Sequence, residues 1–276
     1  GVNHNGSIDE AIRLIEASHD AGVDAVKFQK RDLESLYTKK ILEDPNSAEW
    51  VFEYLIPILE ETELSKDEYQ RIKQKCLELD LELIITPCDK KSVQFCYDLG
   101  VNSFKIASAD MINYELIKDC FSRNLPVIIS TGMWTEEEIK QSVGKYKSFG
   151  QNDFFMLLAN STYPTPYESI NLEFLTTLCK IHNLCGYSGH ERGTFIPISA
   201  ATLGARIVEK HITFDRNHTG PDHKASMLPE EFKDMVYGLR CLELALGKEK
   251  VVNQAEKLAK EVFAKSAYVK EDLPIG

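Results

Sequence analysis

Two apolar runs that each end in a histidine decide the fold: LCGYSGH at residues 184–190 and ARIVEKH at residues 205–211. Neighbouring parallel strands lie about 4.8 Å apart. If the two runs are such neighbours, His190 and His211 meet at one edge of a sheet and can share an ion. Polar residues surround them, as is typical of a metal site rather than a packed core. These residues are Ser188, Glu191, Glu209 and Asp222.

The same alternation of apolar runs and amphipathic segments extends along most of the chain. Amphipathic segments with a period near 3.6 predict helices, for example over 8–21, 65–79 and 229–246. Ser65 followed by Glu68 indicates a capping box at the start of one of them. Seven apolar runs predict strands: 25–29, 83–87, 103–108, 126–132, 154–161, 184–189 and 206–212.

Eight strand–helix units would form a (β/α)8 TIM barrel, an α/β fold. The helix predicted over 8–21 has no strand before it, so we expect a barrel whose first strand is truncated at the N-terminus. A doubly wound open sheet is the rival, but no GxGxxG follows any predicted strand. The barrel is expected over 1–247. Residues 248–276 then form a charged helical linker and the start of another domain. The segment that contains Trp50 and Tyr54 is long enough for a lid.

Composition restricts the class of protein. The net charge of −11 argues against a nucleic-acid partner and against an anionic membrane surface. No run approaches the roughly 20 apolar residues that cross a bilayer. The seven cysteines are odd in number and scattered, which argues against a disulfide framework or a zinc knuckle. We therefore expect a cytoplasmic protein.

Polar side chains stand where the predicted strands end, the place where barrel enzymes bind their substrates. Lys27 and Lys105 are each flanked by apolar residues, VKF and FKI. A buried ammonium group is costly without a partner, so both lysines are expected to bind an anion. The alternative is that they are surface charges. The other polar residues at these strand ends are Gln29, Thr86, Ser108, Ser161, Tyr163, Ser188 and Glu209.

The order of several motifs resembles the sialic acid (nonulosonate) synthase family. The motifs are GVNHNG (1–6), VKFQK (26–30), ITP (85–87), FKIAS (104–108), STGM (130–133), YPTP (163–166), YSGH (187–190), EKHIT (209–213) and GPD (220–222). The resemblance implies condensation of phosphoenolpyruvate with an N-acylated amino sugar, either N-acetylmannosamine or a 2,4-diacetamido-trideoxyhexose. It also implies a homodimer and a C-terminal antifreeze-like domain, of which only the beginning would lie within residues 248–276.

The resemblance also implies a role for individual residues. His190 and His211 would hold a divalent metal, Mn²⁺ or Mg²⁺. Phosphoenolpyruvate would lie among residues matching Lys27, Thr86, Lys105, Ser108, Ser161 and Ser188. The sugar would lie against Tyr163, Glu209 and Asp222, with Asn3, Gln29 and Asp110 also lining the site. Asp110 replaces a glutamate of many relatives and Ser161 replaces an asparagine of some, so the sugar preference stays open.

Several alternatives stay open at this point. The two histidines could be ordinary strand-end residues. Glu209 and Asp222 are candidates for proton transfer, but Glu209 could equally support a metal ligand. Tyr163 could simply anchor a rigid loop, because two prolines fix the turn. A deoxy-sugar-phosphate synthase and a catalytically silent sugar-binding scaffold for surface polysaccharide production are the rival functions.

Overall fold

Seven parallel strands form one sheet in the order of the sequence, β1 to β7. The computed structural model describes residues 2–45, 51–268 and 270–271, and of residues 51–54 only the backbone. Trp50 and the side chain of Tyr54 lie outside this range, so the lid prediction stays a prediction. The strands are β1 (Ala25–Lys30), β2 (Glu82–Pro87), β3 (Ser103–Ile106), β4 (Val127–Ser130), β5 (Phe155–Ala159), β6 (Cys185–Gly189) and β7 (Val208–Lys210).

Helices connect successive strands, as parallel pairing requires. Ser65 caps α5 with a reciprocal capping box: its Oγ accepts from the Glu68 amide at 3.4 Å, and the Glu68 carboxylate accepts from the Ser65 amide at 2.7 Å. The helices are α1 (Ile8–Asp20), α2 (Leu33–Leu36), α3 (Lys39–Glu43), α4 (Val51–Thr62), α5 (Lys66–Glu78), α6 (Lys90–Leu99), α7 (Tyr114–Ser122), α8 (Glu136–Ser148), α9 (Phe174–Ile181), α10 (Phe195–Thr202), α11 (Pro229–Ala245) and α12 (Gln254–Phe263).

The register of β6 and β7 brings the two decisive runs together. Ser188 pairs with Glu209, and Gly189 pairs with Lys210. Close approach of these strands depends on Gly186, where an added Cβ would lie 2.6 Å from the Ile207 carbonyl oxygen. Any larger side chain at that position would push β6 away from β7. The sequence prediction of neighbouring parallel strands is therefore confirmed.

The sheet is barrel-like but stays open between β1 and β7 in the described part of the chain. A cavity of about 750 Å³ occupies that gap, lined by the two edge strands and by apolar side chains of α1 and α11. The N-terminal loop spans one end of the gap, because the Asn3 amide donates to the Ile212 carbonyl and to Ser226 Oγ, each at 2.8 Å. Seven of the predicted strands are confirmed, and the eighth stays a prediction.

Two features of the remaining chain differ from expectation. Residues 248–276 were expected to begin with a charged helical linker, whereas residues 248–253 have no helical structure and the helix is α12. The start of an antifreeze-like domain stays a prediction, and residues 269 and 272–276 lie outside the described range.

Cys179 and Cys185 form a disulfide, so the expectation from cysteine scatter was wrong for this pair. The end of α9 and the start of β6 place their Cα atoms 5.3 Å apart, a proximity that composition does not encode.

No helix in the described ranges combines the length and apolarity that a bilayer crossing requires.

Candidate active site at the strand ends

Two lysines and one glutamate meet at the strand ends. Lys27 Nζ on β1 donates to Glu209 Oε1 on β7 at 2.5 Å, and Lys105 Nζ on β3 lies 4.0 Å from Glu209 Oε2. Ser188 Oγ donates to the same Glu209 Oε1 at 3.1 Å. One carboxylate therefore faces two ammonium groups. When both lysines are protonated, the cluster carries a net positive charge and suits an anionic ligand.

Burial controls the ionisation of this cluster. The Lys105 side chain is only 3% exposed, and burial lowers its pKa to about 7 although Glu209 opposes the shift. Burial alone would raise the pKa of Glu209, but Lys105 and Lys27 outweigh it and hold that pKa well below its usual range. Glu209 is therefore ionised at neutral pH, and Lys105 is close to the midpoint of its titration.

This ionisation predicts a pH dependence of anion binding. The pKa of Lys105 in the free protein lies near 7, below its ordinary value of 10.5, so the ammonium form is lost as the pH rises above 7. We expect the dissociation constant for phosphoenolpyruvate, the anion that the family resemblance implies, to rise by up to about tenfold per pH unit between pH 7 and 9. Isothermal titration calorimetry across this range measures it. A Lys105→Arg variant, which stays charged, is the control and should show a flatter profile. An unchanged affinity across the range in the wild-type chain would contradict the assignment.

Hydroxyl groups also lie at or just beyond the ends of β2, β3 and β5. Thr86 Oγ1 is buried and has no hydrogen-bond partner among the described residues. The Ser108 hydroxyl accepts from the Gly132 amide at 3.0 Å. An added Cβ at Gly132 would lie 2.5 Å from Ser161 Oγ and 2.9 Å from Ser108 Oγ, so the two serines meet around this glycine. The structure thus places Thr86, Ser108 and Ser161 at strand ends as predicted, with Thr86 free to donate to a ligand.

The two histidines are neighbours at the ends of β6 and β7. Their ring centroids lie 5.4 Å apart, and Tyr163 stacks on the His190 ring at 4.0 Å. His190 Nδ1 lies 2.6 Å from the Asn160 carbonyl oxygen. That nitrogen must carry the proton, because a carbonyl only accepts, and the lone pair of His190 is on Nε2. His211 Nδ1 lies 3.6 Å from Asp222 Oδ2.

The chemistry of the pair fits a divalent metal. Burial lowers the pKa of His211 to about 3 and also lowers that of His190, so both rings are neutral and keep a lone pair for coordination. His190 and His211 would hold such an ion through their neutral ring nitrogens, and the ion would act as a Lewis acid on a bound carbonyl. Within the described ranges, no group of three or more His, Cys, Asp or Glu side chains converges on an ion position. With two imidazole ligands, an ion held here would complete its coordination with water or substrate oxygen.

Three other predicted residues lie around this centre. Tyr163 and Asp222 contact the histidines. Asn3 belongs to the N-terminal loop that spans one end of the gap between β1 and β7. Its side-chain oxygen Oδ1 is buried and has no hydrogen-bond partner in the described chain. Gln29 instead accepts a hydrogen bond from Arg31. The Asp110 carboxylate accepts a hydrogen bond from the side-chain amide of Asn113 at 3.0 Å.

Within the described chain, Lys27, Lys105 and Ser188 converge on Glu209, whereas the side chains of Gln29 and Asp110 hydrogen-bond to Arg31 and Asn113.

Sequence reasoning missed two contributors. Ser130 Oγ accepts from Lys105 Nζ at 2.5 Å. Ser130 is the last residue of β4. The strand-end rule, which selects polar residues at the ends of predicted strands and which selected Thr86, could have found it. The Asn160 carbonyl, which orients His190, has no sequence signature because every residue carries a carbonyl group.

A barrel-like parallel sheet whose strand ends carry lysines, hydroxyls and neutral histidines defines the class as an α/β enzyme. The chain belongs to the NeuB family, whose model matches residues 14–251. It is 35% identical over 286 residues to N,N′-diacetyllegionaminic acid synthase of Legionella pneumophila, covering 100% of this chain and 80% of that protein. It is 34% identical over 281 residues to N-acetylneuraminate-9-phosphate synthase of Mus musculus, covering 100% and 78%.

The structure supports the same assignment. It resembles the crystal structure of N-acetylneuraminic acid (sialic acid) synthetase from Leptospira borgpetersenii serovar Hardjo-bovis, in complex with citrate. The TM-score is 0.82 at 29% identity, over 95% of this chain and 88% of that one. The family that the motifs indicated is confirmed, and the chain is a transferase of the synthase type.

Proposed function

We propose that this chain condenses phosphoenolpyruvate with an N-acylated amino sugar, in a metal-dependent reaction that gives a sialic-type nonulosonic acid and phosphate. The observation that carries the proposal is the pairing of two lysines around Glu209 beside two neutral histidines. An anion site and a site for a carbonyl-polarising ion then lie side by side. Such an arrangement brings an enol and an aldehyde together.

Lys27 and Lys105 would bind the phosphate and the carboxylate of phosphoenolpyruvate. Each anion needs more hydrogen-bond donors than one ammonium group supplies, and hydroxyls provide them. Thr86 is the best placed, because its unsatisfied buried hydroxyl costs free energy until a ligand oxygen pairs with it. Glu209 keeps both ammonium groups in place when no anion is bound. The remaining donors of this site would be Ser108, Ser130, Ser161 and Ser188.

In the condensation, C3 of phosphoenolpyruvate forms a bond to the aldehyde carbon of the open-chain sugar, and the aldehyde oxygen gains a proton. Water adds at C2 as phosphate leaves. A bound Mn²⁺ or Mg²⁺ would polarise the aldehyde, with His190 and His211 as its protein ligands. Lys105, with a pKa of about 7, is the group best suited to transfer a proton. Glu209 orients the lysines rather than donating a proton, because its pKa is low.

One turnover screen tests this proposal and its rivals. The full-length protein is incubated with phosphoenolpyruvate, Mn²⁺ and, separately, N-acetylmannosamine, its 6-phosphate and a 2,4-diacetamido-trideoxyhexose. Phosphate release and product mass are measured. Turnover of a free amino sugar supports the proposal and identifies the acceptor. Turnover of a sugar phosphate alone supports the rival sugar-phosphate synthase. A folded protein that forms no product with any sugar would support the sugar-binding scaffold.

Three further features are proposed: a homodimer on the family resemblance, a cytoplasmic location on the cysteine usage, and an eighth strand between β1 and β7 on the number of strand–helix units. The apolar lining of the gap supports the eighth strand, since a parallel strand there would pair with both free edges. Light scattering of the full-length protein tests the dimer.

A further inference from the structure

A buried ion pair lies directly behind the two histidines. Glu191 follows His190 in the chain, and Lys210 precedes His211. Successive strand residues point to opposite faces, so Lys210 lies on the outer face of β7 while Glu209 and His211 share the inner face. The mechanism proposed above uses neither residue of this pair.

Both side chains of the pair are fully enclosed, and both charged groups are hydrogen-bonded. The Lys210 and Glu191 side chains are 0% exposed, with Nζ 2.9 Å from Oε1. Lys210 Nζ also donates to the Glu191 backbone carbonyl. Tyr187 OH donates to the second carboxylate oxygen, Oε2, at 2.6 Å. The network therefore ties β7 to both the side chain and the backbone of the residue after His190.

Packing around Gly189 makes this link stiff. An added Cβ at Gly189 would lie 2.6 Å from Glu191 Oε2 and 2.6 Å from Tyr187 Cε1. The carboxylate thus rests against the backbone of β6 immediately before His190. A shift of β7 relative to β6 would break hydrogen bonds that no water can replace, because the site is enclosed.

We propose that Glu191 and Lys210 are positioning residues that hold His190 and His211 at the separation needed to share one ion. The inference rests on the metal role in the proposed function. A buried ion pair adds little stability compared with apolar residues of the same volume. Its directional bonds instead fix the relative position of two strand ends. Groups bonded to metal-binding histidines commonly change metal affinity by 10–100-fold. Within the described chain, Glu191 and Lys210 hydrogen-bond to neither ring, and they act through the backbone of the adjacent residues.

The test is the Mn²⁺ affinity of a Glu191→Gln, Lys210→Met double variant. Both charges are removed together, so no buried charge is left unpaired. We expect a folded protein by circular dichroism, with a dissociation constant for Mn²⁺ at least about tenfold higher by electron paramagnetic resonance titration. At saturating Mn²⁺ the KM for phosphoenolpyruvate should change by less than about twofold, because Lys27 and Lys105 set it. Glu16→Gln with Lys75→Met removes another cross-element ion pair, at 3.0 Å between α1 and α5, and is the matched control.

The outcomes separate the positioning role from the proposed function. A folded double variant with wild-type Mn²⁺ affinity would overturn the positioning role and leave the proposed function standing. Absence of Mn²⁺ binding by the wild-type protein would overturn both. If the double variant does not fold, Tyr187→Phe removes only the hydroxyl that holds Oε2. We then expect about a threefold loss of Mn²⁺ affinity, and unchanged affinity would refute the role.

Discussion

Replacement of both histidines, His190→Ala with His211→Ala, should abolish stoichiometric Mn²⁺ binding and leave the protein folded. The two rings are the neutral nitrogen donors at the strand ends, 5.4 Å apart, and alanine supplies no ligand in their place. Carbonyl polarisation by a metal contributes several kcal/mol to transition-state stabilisation. We therefore expect turnover to fall by about 10³-fold or more. Paramagnetic resonance measures the bound Mn²⁺, and circular dichroism measures the folded state.

The fold should survive because neither ring belongs to the apolar core, which is built from residues such as Leu83, Phe104 and Met156. His19→Ala is the matched control, since His19 is a half-exposed histidine on α1. That variant should bind Mn²⁺ like the wild-type protein. Retention of one Mn²⁺ per chain in the double variant would show that the ion is bound elsewhere.

Lys105→Ala should weaken phosphoenolpyruvate binding by about 100-fold or more and change the KM for the sugar by less than about threefold. Removal of one charged partner of a buried pair across a binding interface, here Lys105 opposite the bound anion, commonly costs 2–5 kcal/mol of binding free energy. In the variant, Lys27 still neutralises Glu209 at 2.5 Å, so the fold keeps a balanced pair. The cluster then has no net positive charge for the anion. Steady-state kinetics with each substrate varied in turn separates the two effects.

The control for this variant is Lys140→Ala. Lys140 is an exposed lysine that pairs with Glu136 on α8 and makes no ion pair with Glu209. The Lys140→Ala variant removes one positive charge, as Lys105→Ala does. It should change neither the KM for phosphoenolpyruvate nor the KM for the sugar. Equal losses for phosphoenolpyruvate and sugar in Lys105→Ala would contradict the anion role of Lys105.

Local pattern predicted the elements of the fold well. All seven strands lie within the predicted runs to within one residue, because an apolar β-rich run between helical segments has few alternative structures. The capping box of Ser65 is present because it depends on residues three apart in one chain segment. The Cys179–Cys185 disulfide was not predicted, since the angle at which α9 meets β6 depends on packing.

The strand-end rule also found the charged part of the site. It selected Lys27, Lys105 and Glu209 because parallel strands in sequential order bring their carboxyl ends to one rim. The same reasoning selected Gln29 as a site residue, yet the Gln29 side chain accepts a hydrogen bond from Arg31. Side-chain direction at a strand end depends on neighbours that only the folded chain supplies.

The sequence by itself determined the family, the order of the strands and which residues reach the strand ends, because these follow from periodicity and short motifs. The tertiary structure decided which of those residues interact and in which charge state. Lys27 and Glu209 are 182 residues apart in the chain, and only the folded sheet places them 2.5 Å from each other. Burial then lowers the pKa of Lys105 and of both histidines, since the cost of enclosing a charge exists only when water is excluded.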